Sequence, residues 1–163
     1  MKKRILSIFL CLVMVFSLLP FTASAASSTL INEETFPDPV FREYVLKIVG
    51  SSVLTEEKVR QIEVLDVSWS NTKKVLGKRD PITSLKGIRY LKYVKDLNCS
   101  YQKLTTLDLE LNSRVEKLNC SGNQLTDLWL DPRGNSLRYL DCGGNKLTAL
   151  DLSYNGALES LSV

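Results

Sequence analysis

Residues 94–113 read VKDLNCSYQKLTTLDLELNS, and the same pattern returns twice in the residues that follow. Residues 115–136 read VEKLNCSGNQLTDLWLDPRGNS, and residues 137–156 read LRYLDCGGNKLTALDLSYNG. These copies start 21 and 22 residues apart, a partial copy begins at Leu158, and an earlier one begins at Ile62. Recurrence at a nearly fixed period predicts a solenoid in which each repeat packs on its neighbours.

Each copy begins with apolar residues that alternate with polar ones, as Leu118 and Cys120 do. This period of two predicts a short strand with one buried side. Stacked copies then pair their strands in parallel, and the leucines of the second half of each copy form the other wall of the core. These wall residues are Leu104, Leu107, Leu109, Leu125, Leu128, Leu130, Leu147, Leu150 and Leu152.

The turn after each strand carries an amide side chain. Asn123 and Asn145 occupy this position, where an amide can bond the backbone groups that a tight bend leaves unpaired. The first full copy has Gln102 there instead, and we expect its longer side chain to miss those partners and to loosen the turn. The copy at Val115 is one residue longer, which predicts a local bulge within residues 131–135.

The pattern L-x-x-L-x-C-x-x-N-x-L resembles the leucine-rich repeat, and the second half, L-x-x-L-D-L-x-x-N, is similar to a short bacterial subclass of that family. The resemblance covers residues 62–163 and is specific because it recurs in register. It implies an α/β repeat solenoid, a right-handed arc with a parallel sheet and an N-terminal helical cap, as in internalin-like proteins. It also implies a role in adhesion or in contact with a host surface.

Residues 1–25 are interpreted as a signal peptide. Lys2, Lys3 and Arg4 precede an apolar run, and residues 23–25 read Ala-Ser-Ala, the small-residue pattern that signal peptidase cleaves. The alternatives are a retained membrane anchor, for which the run is short, and a lipoprotein lipidated at Cys11, which lacks the small residue required before it. Cleavage leaves 18 basic and 18 acidic residues, so the net charge of +3 gives no indication of nucleic-acid binding.

Residues 26–61 are predicted to form a linker and a helical cap that covers the end of the core. Asp38 is the expected N-cap of an amphipathic helix, with Pro39 at its first position. Thr55 begins a second short helix. The connection between the helices, residues 50–54, contains no acid and therefore offers no calcium ligands.

Residues 69–80 separate the first strand from the rest of the array, and we expect an extra loop there. Four basic residues fall within residues 73–79. They indicate either a solvated surface loop or an electrostatic contact with an anionic wall polymer or an acidic partner. From Ile82 the apolar spacing predicts a short helical turn that returns the chain to the array.

Three cysteines, Cys99, Cys120 and Cys142, occupy the same inward position of successive repeats. We expect buried free thiols that act as small apolar residues, because parallel side chains do not converge as a disulfide requires. A zinc site lacks a fourth ligand. The chain has no histidine, and no nucleophile has a recognisable base, so neither catalysis nor a cofactor is expected.

The repeat register predicts an outward sheet face, and solenoids bind partners through such faces. The expected function is an extracellular, non-catalytic binding or adhesion module, secreted or on the cell surface, that recognises a protein or a glycan and has no membrane span after signal cleavage. The alternatives are an ordinary polar surface, or a targeting appendage of a larger secreted enzyme. The array, residues 62–163, stops in mid-repeat, so we expect a fragment of a longer surface protein. The candidate contact residues are Trp69, Asp96, Asn98, Tyr101, Lys117, Asn119, Tyr139 and Asp141.

Overall fold

The computed structural model describes residues 28–77, 80–133 and 136–163. The signal peptide predicted at residues 1–25 lies outside these ranges. So do Lys78 and Arg79 of the basic segment, and residues 134–135 of the expected bulge.

The N-terminal part contains the two expected helices and a small antiparallel sheet. Strand β1 (Thr29–Leu30) pairs with β2 (Val53–Leu54), helix α1 spans Pro39–Val49 and helix α2 spans Glu56–Arg60. Asp38 caps α1 as predicted, because its Oδ1 accepts hydrogen bonds from the backbone of Val40 and Phe41 at 3.0 and 2.9 Å. Its Oδ2 accepts a bond from the Thr83 backbone at 2.8 Å, and this bond fastens the helices to the array.

Five strands form the parallel sheet that the repeat predicts. They are β3 (Val64–Asp66), β4 (Asp96–Asn98), β6 (Lys117–Asn119), β8 (Tyr139–Asp141) and β9 (Ser160–Ser162), hydrogen-bonded in that order. Their central leucines lie in register, and those of the first four strands are buried. Leu161 of the outermost strand is 47% exposed. The predicted register is therefore confirmed.

The opposite wall of the core is a second sheet, in which β5 (Thr106–Asp108) and β7 (Asp127–Trp129) pair in parallel. Their central residues, Leu107 and Leu128, point into the core. In the preceding repeat the wall is instead a 3₁₀ helix, η1 (Ile88–Tyr90), which confirms the predicted helical turn. The outer surface of this wall therefore changes from helix to strand between the first and second repeats.

The prediction of a loop at residues 69–80 is wrong for most of that segment, because Trp69–Leu76 form helix α3. The Ser68 side chain accepts a bond from the Asn71 backbone, and Gly77 ends the helix in the left-handed conformation. Asn71 Nδ2 donates to the Tyr44 hydroxyl at 3.0 Å, so α3 packs on α1. The basic residues suggested a solvated loop, but Lys73 and Lys74 lie in the last helical turn, where cations interact favourably with the helix dipole.

A column of inward-pointing amides, of which Asn123 is buried and Asn145 is partly exposed, connects the turns of successive repeats. Asn123 Oδ1 accepts a bond from the Leu104 backbone at 3.0 Å, and its Nδ2 donates to the carbonyls of Cys99 and Cys120 at 2.9 and 3.0 Å. Asn145 makes the equivalent set of bonds one repeat later. The predicted role of both asparagines is confirmed.

The prediction that Gln102 misses the bonds of the asparagines and loosens its turn is wrong. Its Oε1 accepts a bond from the Ile82 backbone at 2.8 Å, and its Nε2 donates to the carbonyl of Val67 at 2.7 Å. These are the equivalents of the bonds that the asparagines make to the preceding repeat. The extra methylene is accommodated because Nε2 also donates to the Thr72 hydroxyl of α3 at 3.1 Å, a partner that the other turns do not have.

The three cysteines form a second buried column and are free thiols, as expected. Burial raises the pKa of all three thiols, that of Cys120 to about 12 and that of Cys99 well above its usual range. Proximity of Cys120 to Cys142 and Asp141 adds to its shift. Because the thiolate is the reactive form, we expect these thiols to react slowly in the folded chain.

Candidate binding face

The outward side chains of the five-stranded sheet form two parallel rows, one at each end of the strands. The first row contains Val64, Asp96, Lys117, Tyr139 and Ser160. The second contains Asp66, Asn98, Asn119, Asp141 and Ser162. A hollow of about 470 Å³ lies over the last four strands between these rows. Six of the eight candidate residues from the sequence line it, and Trp69 and Tyr101 lie outside it.

The second row presents a fixed order of hydrogen-bonding groups. Asn98 Oδ1 accepts bonds from the Ser100 backbone and hydroxyl, and Asn119 Oδ1 accepts the same two bonds from Ser121. These bonds use the acceptor end of each amide, so Nδ2 has no partner among the described residues. Asp141, in the next strand, uses only one carboxylate oxygen in this way. The row therefore offers two adjacent amide donors beside a carboxylate acceptor.

Tyr139 is the principal aromatic group of the first row, and its ring is 42% exposed. Its hydroxyl donates to Glu159 at 3.1 Å, and Arg138 forms an ion pair with the same carboxylate at 2.7 Å. The Lys117 ammonium lies 5.5 Å from the centre of the ring. These contacts fix the orientation of the tyrosine, so a partner that covers it orders little further side-chain freedom.

Arg138 and Glu159 were not among the residues selected from the sequence. The sequence signal for both is the charge of the residue that directly precedes each strand of the five-stranded sheet. The charge at this position alternates from strand to strand, in the order Glu63, Lys95, Glu116, Arg138 and Glu159. Lys95 and Glu63 form a second ion pair of this line at 3.0 Å. The hydrogen bonds from Arg138 and then Tyr139 lower the pKa of Glu159, which keeps it charged.

Tyr101 stands at the edge of the face in a conformation that costs energy. Its φ of +56° is left-handed, and the equivalent positions of the next two repeats are Gly122 and Gly144, with φ of +65° and +66°. Left-handed backbone costs a residue with a side chain about 1–2 kcal/mol. The ring is 68% exposed and lies against Gly122, where an added Cβ would come within 2.6 Å of it. We therefore expect the exposed ring to contribute little to the stability of the fold.

Trp69 occupies the equivalent position one repeat earlier, at the start of α3. Its backbone N–H donates to the Ser100 carbonyl at 3.0 Å, and that of Tyr101 donates to the Ser121 carbonyl at 2.9 Å. The two aromatic residues thus follow adjacent strands, β3 and β4, at the same edge of the sheet. They lengthen the face beyond the hollow, and Trp69 is the more buried of the two.

No group of three acidic, cysteine or histidine residues is placed to hold a metal ion in the part of the chain that the structure describes. Within the same residues, no helix combines the length and the apolar character needed to cross a bilayer.

Comparison with known proteins places this geometry among the internalins. The functional domain of InlJ from Listeria monocytogenes, which includes a cysteine ladder, is 29% identical, with a TM-score of 0.66 over 83% of this chain and 30% of that chain. Internalin C2 from the same species is 23% identical, with a TM-score of 0.67 over 83% of this chain and 58% of that one. InlF is 21% identical, with a TM-score of 0.65 over 85% of this chain and 39% of that one.

This chain therefore spans between about a third and three fifths of the length of those structures. No protein-family model matches the sequence, and no curated protein matches it. The buried cysteine column has a counterpart in the cysteine ladder described for InlJ. By its repeat and its parallel sheet, the chain has a leucine-rich-repeat solenoid fold that is similar to the fold of these internalins.

Proposed function

We propose that the chain is an extracellular, non-catalytic module that binds a protein or glycan partner through the face of its five-stranded sheet. An internalin-like repeat fold implies a protein-binding or adhesion-type module. The observation that carries the finer proposal is the second row, in which Asn98 and Asn119 keep their amide donors free beside the Asp141 carboxylate.

The face is prepared for binding because its polar groups are already fixed. Each asparagine amide is held by two bonds to the serine that follows it two residues later, and Tyr139 is held by Glu159. The two amides are in register on adjacent strands, which are ~4.8 Å apart. This spacing suits a partner that presents successive carbonyl or hydroxyl oxygens, as an extended peptide or a glycan does.

The area of the sheet explains why the edge aromatics belong to the proposed surface. Five strands at ~4.8 Å spacing make a face about 20 Å wide. Because each strand is short, the area of this face is smaller than the ~800 Å² that each partner buries in a standard interface. Tyr101 adds an exposed ring beside Gly122. Tyrosine and tryptophan supply large contact areas at interfaces and are typical energetic anchors.

The test is capture from intestinal mucus and from bacterial cell-wall extract by the immobilised chain and two face variants. Asn119→Asp keeps the Oδ1 acceptor that the turn needs and replaces the outward donor with an acceptor. Tyr139→Ser removes the ring. The matched control is Asp127→Asn, the reverse exchange on the opposite wall of the core.

We expect the wild-type chain and the control to capture the same component, identified by mass spectrometry, and each face variant to bind it at least tenfold more weakly. Equal capture by all four proteins would place the binding surface elsewhere. Failure of the wild-type chain to retain any component from either source would contradict the proposed function itself.

A further inference from the structure

We propose that a groove on the opposite wall of the solenoid binds an uncharged carbohydrate, with the Trp129 indole as the platform for a sugar ring. The groove lies where helix η1 gives way to strands β5 and β7, and its volume is about 370 Å³. This is within the usual range of small-molecule sites. It is separate from the sheet face and does not depend on the function proposed for that face.

Trp129 departs from the pattern of its own repeat. The equivalent position is Asp108 in the preceding repeat and Asp151 in the following one. The side chain at this position points away from the core, and the Trp129 ring is 44% exposed. The solenoid therefore forms without an aromatic residue here. A large exposed aromatic that replaces a repeating carboxylate is better explained by contact with a ligand than by packing.

The wall opposite Trp129 is packed against the N-terminal segment, and these contacts shape the groove in the chain without a ligand. Tyr90 packs on Phe36 with ring centres 5.9 Å apart, and the Arg89 guanidinium lies 5.6 Å from the centre of the Tyr90 ring. Gly87 is buried with a φ of +106°, and an added Cβ would lie 2.4 Å from the Thr35 carbonyl oxygen. This close approach holds the wall against the N-terminal segment.

The charges around the groove select among ligand classes. Glu34 and Asp108 are acidic, Lys86 and Arg89 are basic, and all four side chains line the groove. The two carboxylates would repel a polyanion, and the two cations would repel an oligocation. An uncharged sugar is repelled by neither pair, because its hydroxyls both donate to carboxylates and accept from guanidinium groups.

An aromatic platform completes the match to a sugar. The axial C–H groups of a pyranose form an apolar face that packs on an indole ring, while its hydroxyls remain at the periphery. Asp108 is placed for such a hydroxyl, since its Oδ1 accepts a bond from the Glu110 backbone at 3.0 Å and Oδ2 is the remaining acceptor. Thr106, on the same strand, adds a hydroxyl to the lining.

The test uses the fluorescence of Trp129 itself. The chain contains two tryptophans, so Trp69→Phe leaves Trp129 as the single indole. This protein is titrated with chitotriose, maltotriose, cellotriose and mannotriose, and in parallel with tetralysine and with polyphosphate. We expect a saturable shift of the emission with at least one neutral trisaccharide, unchanged between low and high salt because no net charge is paired.

Two variants and a control connect that response to the groove, with binding followed by calorimetry and folding by circular dichroism. Trp129→Ala should weaken the trisaccharide at least tenfold. Asp108→Asn, which keeps the acceptor for Glu110, should weaken it about threefold or more. Tyr154→Ala removes a ring that is 61% exposed outside the groove and should leave the affinity unchanged.

The proposal is overturned if no neutral trisaccharide gives a saturable response, if only tetralysine or polyphosphate does, or if Tyr154→Ala has the same effect as Trp129→Ala. The sheet-face variant Asn119→Asp should bind the trisaccharide normally. Loss of mucus or cell-wall capture with retained trisaccharide binding, or the reverse, therefore distinguishes failure at one surface from failure at the other.

Discussion

Replacing Asn123 by alanine tests whether the amide column holds the repeats together. The side chain makes three bonds of 3.0 Å or less, with the Leu104 backbone N–H and the carbonyls of Cys99 and Cys120. Two of these groups belong to the preceding repeat. Alanine removes all three bonds and leaves the Leu104 N–H and the Cys99 carbonyl in the core without a protein partner, whereas the Cys120 carbonyl still accepts a bond from Asn145 Nδ2 at 3.0 Å.

The expected cost follows from that count and from burial. Each hydrogen bond contributes ~1 kcal/mol net, and a buried group left unsatisfied costs up to ~3 kcal/mol. Asn123 is buried, so we expect Asn123→Ala to lower the free energy of unfolding by about 3–5 kcal/mol. Asn145 makes the equivalent bonds but is partly exposed. Water can replace some of them, and Asn145→Ala should cost about 1–2 kcal/mol.

Urea unfolding followed by circular dichroism measures both variants, and their difference is the informative quantity because the chemical change is the same. A stability for Asn123→Ala within ~0.5 kcal/mol of the wild-type chain, a typical effect of a surface substitution, would show that the amide column does not hold the repeats together. A larger cost for Asn145→Ala than for Asn123→Ala would show that burial does not determine the cost.

Three further predictions concern the left-handed residue Tyr101, the pH dependence of stability at Glu56, and the three buried thiols. Tyr101→Asn should change the free energy of unfolding by less than ~1 kcal/mol, because asparagine tolerates the left-handed conformation; a loss of 2 kcal/mol or more in urea titration would show that the ring supports the fold. Hydrogen bonds from Tyr93 and then Lys92 lower the pKa of Glu56 to about 2 from 4.5, so its stabilisation is present above pH 4.5 and is lost as the pH falls towards 2. Glu56→Gln should make the midpoint of thermal unfolding less dependent on pH in this window, and an unchanged slope would contradict the assignment. With Cys11 replaced by serine, the three inward cysteines should resist a thiol reagent in the folded chain and all react in urea; a single reactive thiol would indicate a disulfide.

The solenoid could be predicted from sequence because its signal is repeated. A single leucine such as Leu118 is uninformative, but leucines in register at every copy require one shared core. The same register placed Asn98, Asn119 and Tyr139 on one outward face, and the structure brings them together around one hollow. Their role in binding stays a prediction.

What the sequence did not predict depends on contacts between distant segments. The basic residues of residues 69–80 predict a loop, whereas the caps at Ser68 and Gly77 define helix α3 in the structure. The bonds of Gln102 depend on Thr72, which only the folded helix brings near. The groove beside Trp129 is formed by a helical segment and a strand segment of different repeats, and no local sequence pattern predicts where the two segments meet.

The most direct test of the account compares two adjacent residues of strand β6. Leu118 is buried between the leucines of the neighbouring strands, and Lys117 points outward on the sheet face. Leu118→Ala should lower the free energy of unfolding by ~2–5 kcal/mol, whereas Lys117→Ala should change it by less than ~0.5 kcal/mol. Similar costs for the two variants, or a Leu118→Ala chain as stable as the wild type, would contradict the register on which the core and the binding face both depend.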